Sequence, residues 1–162
     1  MSELCYLIKN NIIPRKELNR VFSESYNISA ELDATFLCFD EAYQEVLNNT
    51  TPDTIIIDLG CAYAPQCYYF SDYEKYIGVD LPFEDDVRFQ TDNSEFYIMS
   101  IQEFIEKELP KLNLDLNNVV AICNYVPDKE AQQMVIDTFP RHYVYYPNMI
   151  NDINLEEDLE RI

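Results

Sequence analysis

The sequence predicts a doubly wound α/β domain, a mostly parallel sheet preceded by helices. Two observations predict it. The first is a change of rhythm near residue 52. Before it, Leu32, Phe36, Phe39, Tyr43 and Val46 recur at three- and four-residue steps, the spacing of one apolar helix face. After it, short β-branched or aromatic runs alternate with stretches that carry helix-start signals. The second is the character of the first such run, Thr54-Ile55-Ile56-Ile57-Asp58. It is continuously apolar rather than alternating, as expected of a strand covered on both faces of a parallel sheet.

The elements follow in order. From about Pro14 to Asn48 the pattern is helical, with Ser29 a cap before the Leu32 run. Asn48-Asn49-Thr50-Thr51-Pro52 then breaks it. Thr54 to Asp58 forms the first strand and the centre of the sheet. Tyr76 to Val79 forms the second, Phe96 to Met99 the third, Val119 to Cys123 the fourth and Tyr143 to Tyr145 the fifth. Ser100-Ile101-Gln102-Glu103 has the capping-box form and opens a helix to about Glu108. Pro127 suits a first helical position, with Asp128 and Glu130 near the positive end of a helix that runs to about Thr138. Ala131, Met134, Val135 and Thr138 share one side of it. Strands alternating with helices imply a parallel sheet with helices on both faces. The chain is read as one domain over 1–162, with a helical part at 1–50, a sheet-containing core at 53–147 and an acidic tail at 148–162.

Composition narrows the function classes. A chain of 162 residues, 48% of them hydrophobic, is long enough to bury a core. Thirty acidic residues against eleven basic ones give a formal charge of −19. Such a field repels phosphate backbones, so direct nucleic-acid binding is not expected. A small molecule or a basic protein is the expected partner. The runs Tyr68-Tyr69 and Tyr143, Tyr145, Tyr146 are read as core and rim packing, and Glu84-Asp85-Asp86 as a solvated run. No apolar stretch approaches roughly 18 residues, so no membrane span is expected. Met1 to Lys9 contains Glu3 and lacks the pattern of a signal peptide, which leads to a cytoplasmic expectation. The cysteines Cys5, Cys38, Cys61, Cys67 and Cys123 fit no metal or redox spacing and are expected as free, buried thiols. His142, the single histidine, is expected at the surface or a sheet end, and no metal site is expected.

The candidate site lies after the first strand, because ligands of such sheets bind beyond the carboxyl ends of the central strands. There the chain reads Asp58-Leu59-Gly60-Cys61-Ala62-Tyr63-Ala64, and the second strand ends Gly78-Val79-Asp80. Asp80 stands where an acidic side chain suits ribose hydroxyls. Motif order and spacing over roughly Thr54 to Tyr146 resemble the class I S-adenosylmethionine-dependent methyltransferase superfamily, in which an acidic residue and alternating glycines follow the first strand and another acid ends the second. The resemblance implies a Rossmann-like methyltransferase fold and S-adenosylmethionine as cofactor. It also implies cofactor contacts at Asp58, Gly60, Cys61, Ala62, Asp80, Leu81, Ser100 and Ile101. Asn124, after the fourth strand, maps to a position that faces the acceptor in many members and is the candidate catalytic residue.

The departures from that pattern set up the alternative. Ala62 and Ala64 stand where the family has glycines, and Ser100 stands where it often has an acid. Asn124-Tyr125-Val126-Pro127 resembles the family's Asn-Pro-Pro-Tyr motif only faintly, sharing its asparagine, and five strands are read where the family has seven. The first functional reading is therefore a methyltransferase-like protein with a small-molecule or protein acceptor. The second is an inactive relative working as an acidic inhibitor or DNA mimic on a basic partner. A dinucleotide binder is disfavoured for lack of a glycine-rich phosphate cradle. Each residue also has a plain structural use: Asp58 as a turn cap, Gly60 as a turn glycine, Asp80 as a solvated strand-end acid, Asn124 as a turn residue before Pro127.

Overall fold

The computed structural model describes residues 42–145, apart from 63, 83–87, 89 and 125. The strands are β1 (Ile55–Leu59), β2 (Lys75–Asp80), β3 (Ser94–Ile98), β4 (Val119–Asn124) and β5 (His142–Tyr145). They form one sheet in the order β3-β2-β1-β4-β5, and every pairing is parallel. The first strand is thus central, as its uninterrupted apolar run requires. Ile57 pairs with Ile77 on one side and Ala121 on the other. The chain moves outward from β1 in one direction through β2 and β3, then returns to add β4 and β5 on the opposite flank. The direction reverses beside β1, and sheets of this kind carry their ligand crevice at such a switch point, here the carboxyl ends of β1 and β4.

Strand parity divides the core into two layers. Ile56, Tyr76, Val120 and Ile122 face a layer with Tyr43, Val46, Cys67, Tyr69 and Phe70. Ile57, Leu59, Ile77, Val79, Val119, Ala121 and Cys123 face the other, with Phe104, Ile105, Ala131, Val135 and Phe139. The first layer is covered by α1, a helix over 42–48, and by a short 3-10 helix, Pro65–Phe70. The second is covered by α2 and α3. α2 opens at Ile101–Glu103, widens into a π turn over Phe104–Glu108 and tightens into a 3-10 turn at Leu109–Leu112. The Ser100 hydroxyl accepts from the Glu103 backbone N–H at 3.1 Å, the capping bond expected there. The helix then runs four residues past the expected end and stops with Asn113 in the left-handed region.

α3 spans Lys129–Thr138. Its cap is Asp128, whose carboxylate accepts from Glu130 N and Ala131 N at 2.9 and 3.1 Å. Pro127 therefore precedes the helix instead of opening it, because Asp128 takes the capping position. β3 is displaced toward the N-terminus relative to the expected Phe96 to Met99. Met99 has already left the ladder, with its backbone N–H on Asp80 O at 2.9 Å. The remaining strands match within one or two residues. Cys61, Cys67 and Cys123 are free and buried. Cys5 and Cys38 lie outside the described residues, as do most of the N-terminal helical part, the Glu84 to Asp86 run, Tyr146 and the acidic tail. Among the described residues no helix is long and apolar enough to cross a membrane, and no group of three or more His, Cys, Asp or Glu could hold a metal ion.

Candidate functional site

Three chain segments meet at the crevice: the loop 60–64 after β1, the end of β2 with residues 80–82, and the end of β4. The first half of the loop is shaped from outside itself, whereas Ala64 N donates within it to Cys61 O at 2.9 Å. Gly60 N and Cys61 N both donate to Val79 O, at 2.7 and 3.1 Å. Ala62 N donates to Asp80 Oδ2 at 2.6 Å. Gly60 has φ 85°, and Ala62 and Ala64 have φ 50° and 57°, all in the left-handed region. Two alanines thus hold a backbone shape that glycine adopts without steric cost. At Gly60 the need is twofold, since a Cβ there would lie 2.5 Å from Val126 Cγ2.

Asp58 and Asn124 project from neighbouring strands toward the layer that holds α1, because both share the parity of Ile56, Val120 and Ile122. Asp58 is fully buried and Asn124 is 5% exposed. One oxygen of Asp58, Oδ2, accepts from Gln66 Nε2 at 2.7 Å and from the Tyr76 hydroxyl. Gln66 also donates to Cys61 O at 2.9 Å, so one buried amide ties the carboxylate to the loop. Asp58 Oδ1 has no partner, and neither has Oδ1 or Nδ2 of Asn124. The Asn124 amide lies toward the Tyr43 hydroxyl and favours its ionised form, yet completes no hydrogen bond of good geometry. Three orphaned polar atoms in one buried corner are unusual, since buried polar groups in native proteins nearly always find partners.

The electrostatics follow from burial. Loss of solvent raises the Asp58 carboxyl from its ordinary 3.8 to about 6, the Tyr76 and Gln66 hydrogen bonds pull it back, and the Asp80 charge adds to the rise. Burial likewise pushes the Tyr43 and Tyr76 hydroxyls and the Cys61 thiol well up, with the Asp58 charge reinforcing each. Cys123 is pushed up to about 12 by the same two causes. None of these thiols is a poised nucleophile.

Asp80 sits across the loop from this corner. Its Oδ2 takes the Ala62 N–H and its Oδ1 takes the Leu81 N–H at 2.7 Å. Arg88, 7% exposed, donates through Nε to Ala62 O at 3.2 Å and through an η nitrogen to Leu81 O at 3.0 Å. The β1 loop and the β2 end are therefore tied together twice, by Asp80 through their N–H groups and by Arg88 through their carbonyls. Leu81 is 57% exposed at the rim.

The sequence-derived residues thus divide. Asp58, Gly60, Cys61, Ala62, Asp80, Leu81 and Asn124 gather around the crevice. Ser100 caps α2, and the Ile101 side chain belongs to the core beneath that helix. Asp58 caps no turn, and the Asn124 side chain closes none. His142 starts β5, half-buried, with Nδ1 against Phe139 O at 2.7 Å. Gln66, Tyr76, Tyr43 and Arg88 were not singled out by sequence reasoning. Tyr76 was accessible through parity, being two residues before Gly78 on one face of β2. Arg88 carried a compositional signal as the only basic residue between Lys75 and Lys107. Gln66 carried none, since its role depends on the 3-10 helix folding back over β1. No protein-family model matches the chain, and no curated protein matches it.

Proposed function

We propose that the chain is a methyltransferase-like protein whose crevice binds S-adenosylmethionine or its demethylated product. One observation carries the reading: the unpartnered Asp58 Oδ1 and Asn124 Oδ1 and Nδ2, buried at the ends of β1 and β4, where both residues act on the Tyr43 hydroxyl. An amino-acid group satisfies that set, with an ammonium for the oxygens and a carboxylate for Nδ2. The residues present fit the cofactor at that end. At the other end Asp80 keeps one free acceptor site on each oxygen beyond its two backbone bonds, which suits ribose hydroxyls. When bound, the cofactor supplies an electrophilic methyl group on a sulfonium. The protein's share is positioning and exclusion of water, which methyl transfer chiefly needs; with its amide engaged by the amino-acid group, Asn124 serves here as a ligand-binding residue rather than as the catalytic one.

Calorimetry with S-adenosylmethionine and S-adenosylhomocysteine tests this. Binding is expected, and Asp80→Ala should weaken it by about 1.5–3 kcal/mol, the scale of a hydrogen bond to a charged group. Unchanged affinity in a folded variant would remove Asp80 from the site.

A second reading is supported by the double tie across the loop. Asp80 is engaged by the Ala62 and Leu81 N–H groups and Arg88 bridges the carbonyls, so the loop and the end of β2 are fastened to each other. A protein whose loop is fastened in this way, with a charge of −19, suits an interaction role on a basic partner. Thermal shift separates the two. Ligand at about 100 times its dissociation constant adds roughly 2.7 kcal/mol of stability. Silence from both the wild type and the Ala62→Gly, Ala64→Gly double variant would favour the interaction role.

A further inference from the structure

We propose that Asp58, positioned by Tyr76 and Gln66, takes the ligand's ammonium group in exchange for a proton, so that filling this site releases acid to the solvent. The inference rests on the ligand reading above and adds its regulation by pH. The geometry separates the two oxygens of Asp58 by task. Oδ2 is committed to the Tyr76 hydroxyl and the Gln66 amide, both donors, so it is held as an acceptor. Oδ1 has no partner, and the unpartnered Asn124 amide shares its surroundings, since both groups act on the Tyr43 hydroxyl. A lone carboxylate oxygen in a fully buried corner is costly when charged. A proton on Oδ1 removes that cost in the empty protein. An ammonium removes it in the occupied one, because its charge and its N–H donors match the same oxygen and Asn124 Oδ1. The two cannot share Oδ1. When the amine enters, the O–H bond of Asp58 breaks, the proton leaves to buffer and an N–H···O bond takes its place. No electrons change hands.

The groups packed against Asp58 leave it as the titrating one. From β2 these are the Tyr76 hydroxyl and the Asp80 carboxylate; from the loop, the Cys61 thiol; from α1, the Tyr43 hydroxyl; from β4, the Cys123 thiol and the Asn124 amide. The hydroxyls and thiols are held neutral by burial, and the Asp80 charge pushes Asp58 further toward its protonated form. Burial leaves Asp58 titrating at about 6, within reach of ordinary solution conditions.

The test is calorimetric titration with S-adenosylhomocysteine at pH 6 and pH 8, each in two buffers of different ionisation heat. At pH 6 about half a proton should be released per ligand bound, and almost none at pH 8. Affinity should fall about tenfold between pH 8 and pH 5. Asp58→Asn should abolish both the release and the pH dependence. Carbon NMR of the wild-type Asp58 carboxyl, without ligand, should show a midpoint near 6, which keeps the idea exposed even if the variant misfolds. Binding without proton release at pH 6, or a midpoint near 4, overturns the exchange and leaves the ligand reading standing. No binding at any pH overturns both.

Discussion

The Asp58 carboxyl couples protonation to folding with a definite sign. Its folded-state value of about 6 lies above the ordinary 3.8, because burial disfavours the charge. The folded protein therefore holds this proton more tightly than the unfolded chain does. Stability from this group is full below about pH 4, falls as pH rises toward 6 and is then level. Two pK units correspond to about 3 kcal/mol. Asp58→Asn should remove that decline. Denaturant unfolding of both proteins from pH 4 to 8 should show the wild type losing about 2–3 kcal/mol relative to the variant, nearly all of it below pH 6.5. A difference that stays constant with pH would mean that the carboxyl titrates near its ordinary value. Sequence alone marked Asp58 as a site residue, through its place after a buried run. It carried no sign of the titration, which depends on Tyr76, Gln66 and Asp80 arriving from other elements.

At the scale of elements, the loop after β1 departs most from what its residues prefer. Ala62 is half-buried at φ 50°, where alanine is strained by about 1–2 kcal/mol. Ala62→Gly relieves that strain and adds flexibility to the unfolded chain. The net effect should be a gain of about 0.5–1 kcal/mol in denaturant unfolding. Composition alone argues the reverse, since a glycine ordinarily loosens the unfolded chain; the positive φ reverses the sign. Ala64→Gly should be nearly neutral, because the same relief is offset by loss of a fully buried methyl worth about 0.8 kcal/mol. Gly78 poses the opposite case. A Cβ there would meet the Phe96 ring at 2.6 Å and Cys61 Sγ at 2.9 Å. Gly78→Ala should cost about 1–3 kcal/mol by overpacking, and an unchanged unfolding midpoint would show that the Phe96 ring swings aside freely. The strands were legible because burial on both faces writes itself into composition. Boundaries were less so: β3 begins at Ser94 and Glu95, polar residues that the apolar pattern of the strand could not include. The Pro127 misplacement has the same origin, since a capping carboxylate and a proline one residue apart compete for one signal.

For the whole molecule, charge dominates. With −19 on 162 residues, the described part carries few compensating contacts near the sheet, such as Lys75 with Glu95 at 2.8 Å, where both side chains are about two-fifths exposed. Exposed pairs of this kind contribute about 0–1 kcal/mol, whereas the net repulsion acts on the entire compact state. Adding salt should therefore stabilise. Raising ionic strength from about 0.01 to 0.15 M shortens the screening length from about 30 to 8 Å, and the melting temperature should rise at constant pH. A fall would mean that specific ion pairs outweigh the repulsion.

The left-handed alanines also bear on the order in which the chain assembles. Ala62 has no local reason to adopt that backbone, and the bonds that impose it on residues 60 to 62 come from Val79 and Asp80, at the end of β2. The loop cannot form until β2 has docked beside β1, so it belongs to the late part of the folding route. Relief of strain at Ala62 should leave the refolding rate nearly unchanged and slow unfolding, a φ-value close to zero. The candidate site would then be the last region to close as the protein folds and the first to open as it unfolds.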